Sequence, residues 1–164
     1  MKIIYNTNFL SKEEVEKIKY DNNDIELIGR DLTPDTPQGD LFHSICLLII
    51  NFVSELSQGL ITNYIYDLIK TSYNNSKQKR VYWRNSAGRE ALAVSEVTIN
   101  DRKGHTVSLI LKREPTETEI LNINDTVKHL KSENYIIQLN ENGRINIWTM
   151  QEYGEYQLEQ QEKR

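Results

Sequence analysis

The chain of 164 residues has a single cysteine, Cys46. No internal disulfide can form, a zinc site built from cysteines is excluded, and the usage fits a reducing compartment. Histidine is also scarce. His43, His105 and His129 stand far apart in sequence and show no metal-ligand spacing, so neither a metal nor a cofactor is expected. The seven glycines are scattered. Neither G-x-x-x-x-G-K-[ST] nor G-x-G-x-x-G occurs, so a phosphate cradle lacks its loop. G-x-S-x-G is missing too, and Ser86-Ala87-Gly88 has no histidine nearby in sequence. No unbroken apolar stretch reaches the roughly 20 residues a membrane helix needs. The N-terminal MKIIYNTNFLSKEE meets acidic residues before an apolar core develops, so no signal peptide is expected. A cytoplasmic protein follows as the expectation.

Excess charge of one sign is missing as well. Lys and Arg total 20 against 24 Asp and Glu, a net charge of -4. That argues against a wholly basic nucleic-acid coat and leaves room for a local basic patch. Hydrophobic residues make up 38% and charged residues 27%, the balance of a soluble globular chain of one domain. An α-rich half over 1–75, a β-rich half over 76–155 and a polar tail over 156–164 are expected. The 16 Asn and 19 Ile against three Ala follow AT-rich codon usage and suggest a low-GC bacterium or a phage.

Several segments declare their local structure. Residues 2–5 read as a strand. Ser11 and Glu14 form a capping box, with Leu10 and Val15 in the staple positions, so a short helix runs over 12–20. A second strand is expected over 25–32, and two prolines and a glycine make 33–39 a loop. YNNSKQK at 73–79 reads as a polar turn. Strands follow near 80–84, 91–99 and 107–111. Thr116 and Glu119 form a second capping box, opening a helix over about 117–132 with Ile120, Ile123, Val127 and Leu130 on one stripe. Asn142-Gly143 between two apolar runs signals a hairpin with a type I′ turn.

The segment from Asp40 to Lys70 is the most apolar. At about 100° per residue, Ser44, Asn51, Glu55, Gln58 and Thr62 occupy one narrow stripe and apolar side chains fill most of the rest, as in a buried helix. Glu55 and Gln58 interrupt the run before a bilayer would be crossed. Beyond Gly59 the apolar face rotates, which suggests a bend. The fold class expected is α+β, a largely antiparallel sheet packed by a long bent central helix over about 40–70 and by the second helix. An apolar surface beyond what a small core can cover would be an interaction face. Leu41, Ile45, Leu48, Phe52, Leu60 and Tyr64 are its candidate residues, in a homodimer or with another protein.

No catalytic residue emerges. Cys46 among Leu and Ile neighbours is expected to be an inert thiol. Asp101 and Glu114 flank a strand, but Lys112-Arg113-Glu114 has the wrong order for a nuclease carboxylate-x-Lys motif. Lys77, Lys79, Arg80, Arg84 and Arg89 form a basic cluster with Tyr73, Tyr82 and Trp83 interleaved, a combination that suits phosphate contacts and base stacking. The acidic stretch from Glu152 to Glu159 could fold back on it. Residues 59–70, GLITNYIYDLIK, resemble a helix of small uncharacterised bacterial proteins, some encoded near phage-defence genes; the resemblance implies no activity. The function expected is non-enzymatic protein binding, accessory or regulatory, in phage defence or counter-defence. Nucleic-acid or nucleotide binding by residues 77–89 is the alternative.

Overall fold

The computed structural model describes residues 1–18, 25–32, 44–51, 58–84, 90–100, 104–129 and 134–162. Strand β1 (Lys2–Asn6) leads into helix α1 (Lys12–Lys17) and strand β2 (Glu26–Arg30). Strand β3 (Ser44–Asn51) is followed by helix α2 (Gln58–Lys79), a small hairpin of β4 (Tyr82–Arg84) and β5 (Glu90–Leu92), and strand β6 (Val94–Asn100). Strand β7 (Thr106–Leu111), helix α3 (Glu117–His129) and strand β8 (Asn134–Leu139) come next, then strand β9 (Ile145–Thr149) and helix α4 (Met150–Glu162).

Seven strands form one sheet in the order β2-β1-β3-β6-β7-β8-β9, and β4 and β5 pair separately. The fold mixes helices with a mixed sheet: among its described strands three pairings are antiparallel and three parallel, and the separate β4–β5 pair adds a fourth antiparallel one, so the expected largely antiparallel sheet holds only when both sheets are taken together. Each parallel pair is bridged by a helix: α1 between β1 and β2, α2 between β3 and β6, α3 between β7 and β8. Parallel neighbours require such a crossover, because a tight turn cannot reverse the chain twice.

Side-chain alternation sorts the sheet into two faces. On the inner face, Ile3, Leu48, Val97, Leu109, Leu111, Ile137 and Leu139 are buried together with Leu68 and Ile69 of α2, Ile120 and Ile123 of α3, and Val15 of α1. Two hydroxyls tie α2 to this face: Ser76 Oγ lies 2.9 Å from Ser95 Oγ. On the outer face a smaller cluster holds Ile110, Ile136 and Tyr153, with Val94, Trp148 and Tyr156 packed against it. Helix α4 therefore lies opposite α2 and α3.

Both capping boxes form as the sequence predicts. The Ser11 amide donates to Glu14 Oε2 at 2.8 Å and the Glu14 amide to Ser11 Oγ at 3.2 Å. The Thr116 and Glu119 pair repeats this at 2.9 and 3.2 Å. Leu10 and Val15, the staple positions, are both buried.

The expected central helix over 40–70 is corrected. Residues 44–51 are a strand between β1 and β6, and the helix runs from 58 to 79. A short apolar run buried on both faces has no period that separates helix from strand. Here a register shift between Cys46 and Leu48 blurs even the alternation, since Leu47 and Leu48 are both fully buried. The carbonyl of Cys46 at this shift accepts from Asn6 Nδ2 at 2.8 Å, and Asn6 is itself fully buried. Gly59 is the second residue of α2, so the rotation of the apolar face expected there falls at the start of that helix and is not a bend within a longer one.

Three smaller expectations also change. Residues 73–79 continue α2, because Tyr73 and Ser76 stay on its buried side and Ser72 and Ser76 donate to carbonyls one turn back instead of breaking the helix. The hairpin after β8 is not a two-residue type I′ turn. Gly143 has φ +83 while Asn142 does not have positive φ. The Gly143 amide donates to the Asn140 carbonyl and the Asn140 amide to the Arg144 carbonyl, the pattern of a tight turn closed by a glycine bulge. The polar tail is largely helix α4. The expected loop at 33–39 and the end of the helix predicted over 12–20 lie outside the described residues.

Candidate interaction edge

The residues proposed for an interaction helix do not share a surface. Ile45 and Leu48 sit in β3 with 6% and 0% exposure, and Tyr64 of α2 is 5% exposed toward the sheet. They are core, because β3 has a hydrogen-bonded neighbour on each side and α2 packs over the inner face. Leu60 falls in the first turn of α2, while Leu41 and Phe52 lie outside the described residues.

The basic cluster is partly committed to the fold. Lys77 and Lys79 occupy the last turn of α2, where positive charge complements the carbonyl end of the helix. Lys77 Nζ lies 5.2 Å from the centre of the Tyr73 ring and Lys79 Nζ 5.5 Å from that of Phe9. Lys79 also donates to the Asn8 carbonyl. Arg80 ends the helix in a left-handed conformation, φ +44, and is exposed. Arg84 lies on β4 opposite Glu90, and Arg89 falls outside the described residues. Tyr82 and Leu92 face each other across β4 and β5 and are 56% and 46% exposed. The acidic stretch of α4 packs on the outer face through Tyr153 and Tyr156, so it does not fold back over α2.

Chemistry requiring paired carboxylates finds little support among the described residues. Asp101 lies outside them, and Glu114 is held by Lys70 at 3.6 Å. Glu96, on the outer face, accepts from Ser44 Oγ at 2.5 Å and has Ile110 as its neighbour on β7, so the adjacent position offers no second carboxylate. Burial pushes the Cys46 thiol up to about 11, against the reactivity of a thiolate. A depression along α3 is lined by Asn122, Asp125, Thr126 and His129. Among the described residues no three His, Cys, Asp or Glu side chains gather to hold a metal ion. No described helix is long and apolar enough to cross a membrane.

The end of the sheet is different. Strand β9 is an edge strand of sequence INIWT with no charged residue. Its inner-face residues Ile145 and Ile147 are 40% and 45% exposed, although their neighbours on β8, Leu139 and Ile137, are fully buried. The backbone adds to this. The hairpin bond from the Asn140 amide to the Arg144 carbonyl fixes which β9 residues bond to β8. By the antiparallel alternation these are Asn146 and Trp148, so the N–H and C=O groups of Ile145 and Ile147 point away from the sheet. Helix α4 does not cover the edge. It turns inward over the outer face, with Trp148 against Tyr153 and Tyr156 at ring centroid distances of 5.4 and 5.2 Å. The opposite edge strand, β2, carries Glu26 and Arg30 at its ends, and such charges discourage pairing with another chain.

No sequence signal singled out β9 as an edge, although the Asn142-Gly143 hairpin located the strand and its lack of charge is readable in Ile145–Thr149. Comparison with protein-family models, with curated proteins and with solved structures finds no match to this chain.

Proposed function

We propose that this protein acts by binding protein through the free edge of β9, in an accessory or regulatory role, and does not act by catalysis. The observation that carries this reading is the coincidence at Ile145 and Ile147 of exposed apolar side chains and outward-facing backbone groups. An extended segment added to such an edge gains main-chain hydrogen bonds and apolar contacts together. Edges left in this state are a liability that folded proteins usually blunt with charge, proline or a bulge, and β9 has neither charge nor proline. A photo-crosslinking side chain at position 147, in cells producing the protein, tests this. Leu121 of α3, 36% exposed, is the control position. A defined protein adduct from 147 and none from 121 is the expected outcome; equal yields, or none from 147, sink the reading.

A second reading, nucleic-acid or nucleotide binding by Lys77, Lys79, Arg80, Arg84 and Arg89, draws support from the exposed Tyr82 near exposed Arg80. A base could stack there beside a phosphate contact. Binding of single-stranded DNA that weakens steeply as salt rises would support it, because each neutralised phosphate releases counterions. No binding at low salt would remove it.

A further inference from the structure

We propose that the occupant of the β9 edge is a second copy of this chain, paired antiparallel about a two-fold axis through Ile147. The inference rests on the reading that this edge binds protein, and it names the partner.

The five residues of β9 suit pairing with themselves. An axis through Ile147 sets Ile147 against Ile147 of the second copy, Ile145 against Thr149, and Asn146 against Trp148. On the inner face, apolar side chains then meet apolar or small ones, and a large aromatic meets a short amide on the outer face. No charged residue lies in the strand, so two identical copies approach without like charges opposed. A two-fold contact must satisfy this condition, because each residue meets the image of its own surroundings.

The backbone agrees with the same register. Ile145, Ile147 and Thr149 are the residues that face outward. The Ile147 pair exchanges both of its hydrogen bonds, and each Ile145 amide reaches the Thr149 carbonyl of the other copy. The Thr149 amide, which a regular ladder would aim at the Ile145 carbonyl of the other copy, instead donates to Glu152 Oε2 at 2.7 Å, so the hydrogen bonding centres on the Ile147 pair and thins toward the ends of the strand. The register also sets Arg144 of one copy against Met150 of the other, two positions from Glu152, so opposite charges flank the strand at each end. An axis through Asn146 would instead carry the pairing past the strand into the bulge at Gly143. Helix α4, turned inward on the outer face, leaves room for the second copy.

A contact this narrow belongs with weak, concentration-dependent assemblies. Sedimentation velocity from low micromolar to near millimolar concentration is therefore the measurement. The full chain is expected to pass from one to two copies across that range. Ile147→Lys places two ammonium groups at the axis and is expected to hold the chain at one copy with an unchanged circular dichroism spectrum. Arg144→Glu, in the exposed turn, is expected to raise the dissociation constant several-fold at low salt and less at high salt. Ile147→Cys is expected to give an oxidised dimer, because the paired backbones come within disulfide reach, whereas Asn146→Cys is not. Crosslinking through Asn146→Cys alone would overturn the axis. A single copy at every concentration, or a dimer that Ile147→Lys leaves intact, would overturn the proposal. If the purified chain stays single while position 147 crosslinks a different protein in cells, this inference fails and the edge-binding reading stands. If 147 gives no adduct anywhere, both fail.

Discussion

Arg113 and Glu119 face each other as a two-pronged ion pair, with Nη2 2.6 Å from Oε1 and Nη1 2.9 Å from Oε2. The arginine also donates from Nε to the Asn140 carbonyl at 2.9 Å. One side chain thus links the start of α3 to the turn that leads into β9. Both partners are less than a quarter exposed, so the pair is poorly screened by water.

The hydrogen bonds from Arg113 hold the Glu119 carboxyl down to about 2, well below its ordinary value of 4.5. A depressed carboxylate contributes stability that is fully present above the unfolded value and is lost as pH falls through the folded one. Stability should therefore decline between about pH 4.5 and 2, by up to about 3 kcal/mol from this group. Urea melts across that range check it. Glu119→Gln should flatten the decline while lowering stability at neutral pH. An unaltered acid limb in that variant would remove the pair from the account.

Leu48 is fully buried in β3, next to the central strand β6 of the sheet. Leu48→Ala should cost about 2–5 kcal/mol, the usual range for emptying a packed site, and Leu48→Glu should not fold. Thermal unfolding of the first and circular dichroism of the second would decide it. A folded, soluble Leu48→Glu would restore the residue to a surface.

The end of α2 supports two opposite outcomes. Lys79→Ala removes the bond to the Asn8 carbonyl and the contact with Phe9, and should cost about 0.5–1.5 kcal/mol. Arg80→Gly relieves a left-handed backbone that glycine adopts freely, and should gain about 1 kcal/mol. Denaturant titration of both variants checks the pair of signs; a destabilised Arg80→Gly would show that the arginine side chain carries structural weight.

Gly29 pairs with Tyr5 in the parallel register, and a Cβ there would stand 2.8 Å from the Tyr5 hydroxyl. Tyr5 is only 7% exposed, so its ring has little room to withdraw. Gly29→Ala should cost about 1–3 kcal/mol by overpacking. Combining it with Tyr5→Phe, which removes the obstructing oxygen, should recover part of that loss. Additive costs in the double variant would place the difficulty elsewhere.

Local signals carried most of what was legible in the sequence. Ser11 with Glu14, and Thr116 with Glu119, foretold two helix starts because capping depends on residues three apart. The alternation of Val107, Leu109 and Leu111 foretold which side of β7 is buried. The failure at 40–70 came from burial itself: a strand flanked on both edges and apolar on both faces reads as a helix apolar all round. The edge at β9 was illegible for a different reason. Whether a strand ends a sheet depends on the order of all seven strands, and that order is set by pairings such as β3 with β6, whose partners stand about fifty residues apart. Short-range periodicity holds no record of it.

The strand order has a consequence for synthesis on the ribosome. After β1 pairs with β3, every later strand of the main sheet is laid against the one before it, β6 then β7, β8 and β9. A chain emerging from its N-terminus can thus extend the sheet in one direction, each newly made strand covering the raw edge left by its predecessor. Growth halts at β9 because α4 turns under the sheet instead of alongside it. The last edge to be made is the one that no other described strand covers.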